Sequence, residues 1–174
     1  MKTEILTARP EDFDAIKRLY DAAREYFRLA GIDQWQTGYP QNEVVLNDIA
    51  SHFTHAVWAD GRIIAACAII PAPDPSYARI DGAWLTGGKY TVIHRVAVLP
   101  KYKGRGIASL LFSHARDISD PSILSLRADT HEDNLSMQRL LEKNGFVRCG
   151  IITLYGDSEA GKTRIAYEKL LTDR

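Results

Sequence analysis

Cysteine is scarce: Cys67 and Cys149 are the only two in 174 residues. Two cannot build a disulfide framework. At this length a core can cover about 70% of the surface the unfolded chain exposes, so no staple or structural metal is required. Both cysteines lie in apolar runs, where the residue packs as a small hydrophobe. No stretch of about 18 apolar residues is present that would span a membrane. Neither sign of charge is in excess: 22 Lys and Arg face 22 Asp and Glu, for a formal net charge of zero. That argues against a nonspecific nucleic-acid binder, whose affinity comes from neutralising phosphates, though it leaves room for a local basic site. The N-terminus lacks the charged, apolar and small-residue order of a leader. There is no internal repeat, low-complexity tract or linker. These absences predict one domain over residues 1–174, working in a reducing cytoplasm, with neither nucleic acid nor membrane as a partner.

What is present is an alternation of strand and helix signals. Residues 2–8 read as a short strand. Pro10 stands just inside a helix start, with Glu11 and Asp12 in the first turn where negative charge suits the helix dipole. Phe13, Ile16, Leu19, Tyr20, Ala23 and Phe27 recur at helical spacing until Gly31. Residues 32–41 form a loop carrying Trp35 and Tyr39, and residues 44–51 a second short helix. Asp60-Gly61 separates two apolar runs, a strong hairpin signal. Residues 72–88 read as a long loop, 90–99 as a strand, 106–118 as a helix, 123–128 as a strand and 134–144 as a helix. Residues 146–154 and 164–171 read as the last two strands. This order predicts an α/β (α+β) domain with a mixed sheet and helices on both faces.

The most informative segment runs from Val96 to Ser109. A β-branched strand ends at Pro100, a basic turn holding Gly104 and Gly106 follows, and a helix begins. Glycine lets the backbone approach a ligand closely. The new helix aims free N–H groups and a partial positive charge at one point, which suits a pyrophosphate. An ordinary strand-to-helix turn with solvated lysines is the plainer alternative. The segment is not a dinucleotide fingerprint, because the third glycine position holds Ser109.

Lys103-Gly104-Arg105-Gly106-Ile107-Ala108 resembles motif A of the GCN5-related N-acetyltransferases (the GNAT superfamily), Gln/Arg-x-x-Gly-x-Gly/Ala, with Lys103 at the Gln/Arg position. Asn134, a helix, and Glu142-Lys143-Asn144-Gly145-Phe146 resemble its motif B, in the right order and spacing. The resemblance covers most of the chain. It implies a single GNAT domain whose mostly antiparallel sheet has about seven strands, and acetyl-CoA as co-substrate without a metal. It also implies donor contacts: Val96 and Val98 pairing with the pantetheine arm, and the amides of Lys103, Gly104, Arg105, Gly106, Ile107, Ala108 and Ser109 on the pyrophosphate. Asn134 and Met137 would flank the arm, and the thioester would lie where the strands of Val98 and Ala128 splay apart. The superfamily commonly dimerises, so a homodimer is among the expectations.

Acetyl transfer to an amine needs the neutral amine, and a lysine-like group with pKa near 10.4 is only about 0.04% neutral at pH 7. A base is therefore expected. His94 is the candidate, four residues before Val98 and so expected on the same strand face; some arylalkylamine acetyltransferases of the superfamily resemble this. A hydrogen-bonded strand histidine is the plainer reading. Asp129, followed by His131, Glu132 and Asp133, could supply a base or substrate anchor. Alternatively this is a polar loop in which Asp133 or Thr130 caps the next helix. Leu141 occupies the position where the family often has an acidic Tyr. Tyr155 and Tyr167 are the substitutes considered, against plain packing roles. Trp35, Tyr39, Tyr77 and Trp84 lie in the two loops that cover the acceptor site in this superfamily. They would either line an amine pocket or anchor the loops. His52 and His55 are three apart with no third ligand, so no metal is expected.

Gly156 to Thr163 fits the P-loop pattern G-x-x-x-x-G-K-[ST]. Only eleven residues follow it, too few for the remaining strands of a P-loop domain, so it reads as a polar hairpin loop. The sequence thus points to an N-acetyltransferase moving acetyl from acetyl-CoA to a primary amine of a small molecule or peptide, by direct attack in a ternary complex. Its rivals are a non-catalytic acyl-CoA sensor of the same fold, favoured by Leu141, and an ATPase.

Overall fold

The computed structural model describes residues 1–171; the last three residues of the expected domain lie outside them. Eight strands form one sheet: β1 (Thr3–Thr7), β2 (Thr54–Ala59), β3 (Arg62–Ile70), β4 (Asp81–Gly82), β5 (Tyr90–Val98), β6 (Ser125–Thr130), β7 (Val147–Thr153) and β8 (Thr163–Leu170). Their order across the sheet is β1-β2-β3-β5-β6-β8-β7-β4. Neighbours run antiparallel except β5 and β6, which are parallel. Among the described residues there are four α-helices: α1 (Phe13–Leu29), α2 (Asn42–Ala50), α3 (Ile107–Ile118) and α4 (Leu135–Lys143). Pro10–Asp12 is a separate 3-10 turn, so α1 starts at Phe13.

The strand alternation divides the apolar residues between two faces. Ala56, Ile63, Ala66 and Ala97 pack beneath α1 and α2, against Ile16, Leu19, Phe27, Val45 and Ile49. Val57, Ala65, Ile93 and Leu126 pack beneath α3 and α4, against Leu111, Phe112, Ala115 and Leu141. Helices therefore cover both faces, as the element order predicts.

The eighth strand, β4, lies inside the stretch read as loop. Two residues carry no periodicity that would mark them as a strand. It reaches β7 because Gly82 and Gly150 have no side chain: a Cβ on either would come within 2.2 Å of the opposing strand's carbonyl oxygen.

Two features of β5 shape the space beside it. Ala65 pairs with Val98, and Ala68 with His94. Three steps on β3 match four on β5, so β5 carries a bulge, at Arg95, whose φ is 56°. The extra residue reverses the alternation. His94 and Val98 therefore lie on opposite faces, not on the shared face that unbroken spacing predicts. Second, β5 pairs with β6 only from Tyr90 to Val92. Beyond Val92 the strands separate, and the edge of β5 is left without a strand partner.

Candidate active site

The turn after β5 offers a run of free donors. Gly106 is the N-cap of α3, with φ 77° and no capping side chain. Leu110 is the first residue of the helix whose N–H bonds back, to the Gly106 carbonyl. The N–H groups of Gly104 to Ser109 have no acceptor among the described residues. Gly104 also has positive φ, 75°, and open space at both glycines leaves the backbone accessible. Six amides at one helix start suit an anion such as pyrophosphate. The flanking cations stand on aromatic rings: Lys103 Nζ lies 3.1 Å from the centre of the Tyr26 ring, and Arg105 lies over Tyr102. Burial lowers the Lys103 pKa.

Where β5 and β6 part, a cavity of about 250 Å³ opens between the sheet and the loops that carry Trp35, Asp74 and Asp157. His94, Val96, Asp129, Asn134 and Met137 all line it. So do Trp35, Tyr39 and Tyr155. Eight of the residues singled out in the sequence thus meet around one space. Val98, beyond the bulge, packs with the α3 side.

His94 is held between two carboxylates. Its Nε2 is 2.8 Å from Asp74 Oδ2, and its Nδ1 is 3.6 Å from Asp129 Oδ1. Tyr77 donates its hydroxyl to Asp129 Oδ1 at 2.7 Å, and its ring packs beside the imidazole. Burial opposes ionisation of Asp74, but the His94 bond and charge and the Ser76 N–H outweigh it and hold the carboxyl at about 2. Burial, with Asp129 adding to it, pushes the Tyr77 phenol well above its ordinary value. The sequence does not single out Asp74. Its visible signal is that of a turn, an Asp before Pro75 whose Oδ1 accepts the Ser76 N–H.

The opposite wall comes from two loops far apart in sequence. Trp35, with φ 66°, packs edge-on against Tyr20 and Phe27. Its N–H donates to Glu159 Oε1 at 2.9 Å, across 124 residues. Glu159 also accepts from Arg164 Nη2 at 2.6 Å, and both side chains are 2% exposed. Lys162 joins the same brace, 2.9 Å from Asp33. Gln34 accepts from Asn134 Nδ2 at 2.8 Å. Arg95 lines the cavity from the bulge, ion-paired to Asp48 at 2.6 Å and donating to the Tyr39 hydroxyl. Burial, against the pull of Arg95, pushes Tyr39 up to about 12. Gln34 and Arg95 carry no motif by which sequence alone would find them, and Asp157 and Glu159 fall in the P-loop-like segment, which reads only as a polar hairpin loop.

Several expected residues fall elsewhere. Trp84 stands behind the cavity, donating to the Tyr77 carbonyl and packing on Arg127. Tyr167 and Leu141 are both buried in the core on the α3 and α4 side. The α4 cap is Asn134 itself, whose Oδ1 accepts the Met137 N–H, in place of Asp133 or Thr130. His55 faces His114, 3.1 Å away, and not His52. Among the described residues no three His, Cys, Asp or Glu side chains gather as a metal site, and no helix is long and apolar enough to cross a membrane. Cys67 is buried and Cys149 half-buried. The P-loop-like segment is a hairpin loop. Gly161 N–H returns to the Leu154 carbonyl, and Thr163 opens strand β8 where a nucleotide site needs a helix.

Three comparisons bear on this arrangement. The family model described as "Acetyltransferase (GNAT) family" matches residues 16–146. Among solved structures, a GNAT-family acetyltransferase from Streptococcus agalactiae is 31% identical, with a TM-score of 0.86 over 97% of this chain and 95% of that one. A PaiA N-acetyltransferase from Thermoplasma acidophilum, solved with coenzyme A, shares the fold at 19% identity and a TM-score of 0.70, over 98% of this chain and 99% of that one. A GNAT-family acetyltransferase from Listeria monocytogenes does so at 20% identity and 0.71, over 97% and 94%. No curated protein matches the chain in sequence.

Proposed function

The chain belongs to the acetyltransferase (GNAT) family, and from that premise we propose that it transfers acetyl from acetyl-CoA to a primary amine of a small molecule or peptide, by direct attack in a ternary complex. The observation that carries the proposal is the pairing of two features across one gap in the sheet. An uncapped helix start with unpaired amides lies on one side, and a cavity holding a carboxylate-clamped histidine on the other.

The fit to the donor rests on the free N–H groups. An anion at the α3 start supplies the acceptors those donors lack. Gly104, Arg105, Gly106, Ile107, Ala108 and Ser109 contribute through the backbone, whereas the Lys103 N–H expected among them already donates to the Pro100 carbonyl; the Ser109 hydroxyl accepts from Asn144 Nδ2 and keeps its own proton to donate. The unpartnered edge of β5 at Val96 and Val98 suits an extended, amide-bearing arm. Met137 lies against that space. Asn134 borders it while capping α4 and holding Gln34. When bound, acetyl-CoA supplies an activated acetyl thioester.

On the acceptor side, His94 Nδ1, the ring nitrogen not hydrogen-bonded to Asp74, removes the proton of the incoming ammonium, directly or through one water. Asp74 orients the ring and Asp129 faces its other nitrogen, so the charge that forms there is shared by two carboxylates. Trp35 and Tyr39 shape the wall along which the amine enters. With Leu141 in the core, Tyr155, which lines the cavity, is the hydroxyl we assign to the departing sulfur. A thiol of pKa about 8.5 leaves tolerably without strong acid help.

Calorimetry with acetyl-CoA, followed by free-thiol release against a panel of amines, tests the reading. Saturable binding with amine-dependent release, and initial-rate lines that intersect, is the expected result; parallel lines would instead indicate a covalent acetyl-enzyme. Binding with no release from any amine favours the sensor, and no binding removes the donor site altogether.

A further inference from the structure

We propose that the acceptor carries a second cationic group besides its reacting amine, and that Asp157 receives it. The inference rests on the acceptor reading of the cavity above and adds the charge class of the substrate.

The cavity wall is unevenly charged. Arg95 is neutralised by Asp48, and Arg164 by Glu159, both through short ion pairs. Asp74 and Asp129 share His94 at the reaction end. Asp157 differs from all of these. It lines the same cavity from the β7–β8 loop, and no cation lies within 4.0 Å of its carboxylate among the described residues. Its Oδ1 accepts the Glu159 N–H at 2.7 Å. It is close enough to Tyr39 to raise that phenol's pKa.

An ammonium arriving at His94 offsets one negative charge at that end and leaves Asp157 untouched. If the rest of the acceptor were neutral, it would cover Asp157 and strip water from an unpaired carboxylate, which is costly. A second cation turns that cost into a charge-assisted hydrogen bond. The surroundings suit a cation for a second reason. Phe27, Trp35, Tyr39 and Tyr155 line the same cavity, and aromatic rings attract ammonium groups.

Calorimetry with 1,4-diaminobutane and with n-butylamine, each titrated into the protein saturated with CoA, separates the alternatives without requiring turnover. The diamine should bind about tenfold or more tightly than the monoamine, the usual scale for a hydrogen bond to a charged group. Asp157→Asn should remove most of that ratio while leaving monoamine affinity and CoA affinity within about twofold; Asp157→Glu should restore part of it. Asp157 is half-buried in a loop, so the variants are expected to fold. Equal affinity for the two amines, no binding of either, or a preference that survives Asp157→Asn would overturn the proposal. Diamine preference abolished by Asp157→Asn, but with no thiol released from acetyl-CoA, would support the cation site and count against the transfer reading. The two claims therefore fail separately.

Discussion

His94 owes its place to its neighbours more than to its own strand. Asp74 holds Nε2 at hydrogen-bond distance, Asp129 lies 3.6 Å from Nδ1, and the Tyr77 ring closes the side. Asp74 titrates near 2, and its depressed pKa means that the stability it contributes is present above about 4 and lost only as pH falls toward 2. It therefore stays ionised across any working pH. Tyr39, near 12, and Tyr77, higher still, do not titrate there either. His94→Ala should lower kcat by about 10²–10⁴-fold, a range typical of a lost general base. An unchanged kcat would remove His94 from the role.

At the scale of elements, two loops and one helix start do most of the positioning. Glu159 joins the β7–β8 loop to the loop before α2, through the Trp35 N–H and Arg164. Glu159→Gln breaks a buried ion pair, which typically costs about 3–5 kcal/mol. Denaturant unfolding should register that loss. Trp35 fluorescence should shift to the red as the loop loosens; an unshifted spectrum at equal stability would show that the brace is not needed. At α3, Gly106 adopts φ 77°, where a side chain costs about 1–2 kcal/mol in strain. Gly106→Ala should lower stability by that amount and weaken acetyl-CoA binding by about tenfold or more, since cradle amides at the uncapped helix start shift. Calorimetry and thermal melting read the two effects separately. An unchanged Kd would mean that these amides do not hold the anion.

The molecule as a whole carries a pH sensitivity remote from the cavity. His55 on β2 meets His114 on α3 at 3.1 Å beneath the sheet. Burial, with His114 adding to it, lowers the His55 pKa to about 4, and burial lowers His114 as well. A histidine with a lowered pKa binds fewer protons folded than unfolded. Its contribution is then complete above about 6.5 and declines as pH falls toward 4. Unfolding free energy should drop by about 1–3 kcal/mol across that interval after allowance for partial solvation. Urea midpoints measured from pH 7 to 4 check this, and replacing both histidines by Gln should flatten the curve. A flat wild-type curve would contradict the burial argument.

What the sequence by itself determined was whatever repeats or clusters locally. Apolar periodicity located α1, α3 and the long strands, and Asp60-Gly61 located the hairpin. Lys103 to Ala108 marked the amide turn, because glycine spacing before a helix is a local property. It also placed His94, Asp129 and Tyr39 as candidates. What only the tertiary structure decided depends on contacts between distant segments. β4 is too short for a periodic signal and exists because two glycines allow close approach. The bulge at Arg95 turned His94 away from the face of Val98, and a non-glycine left-handed residue leaves no mark in a hydrophobic pattern. Asp74 lay unremarked in a segment read as a long loop, and Glu159 in one read as a polar hairpin loop, until the fold set them against His94 and Trp35. A charge acquires its role from what neutralises it. That partner is fixed by chain folding, over separations of 20 and 124 residues, and not by the neighbouring letters.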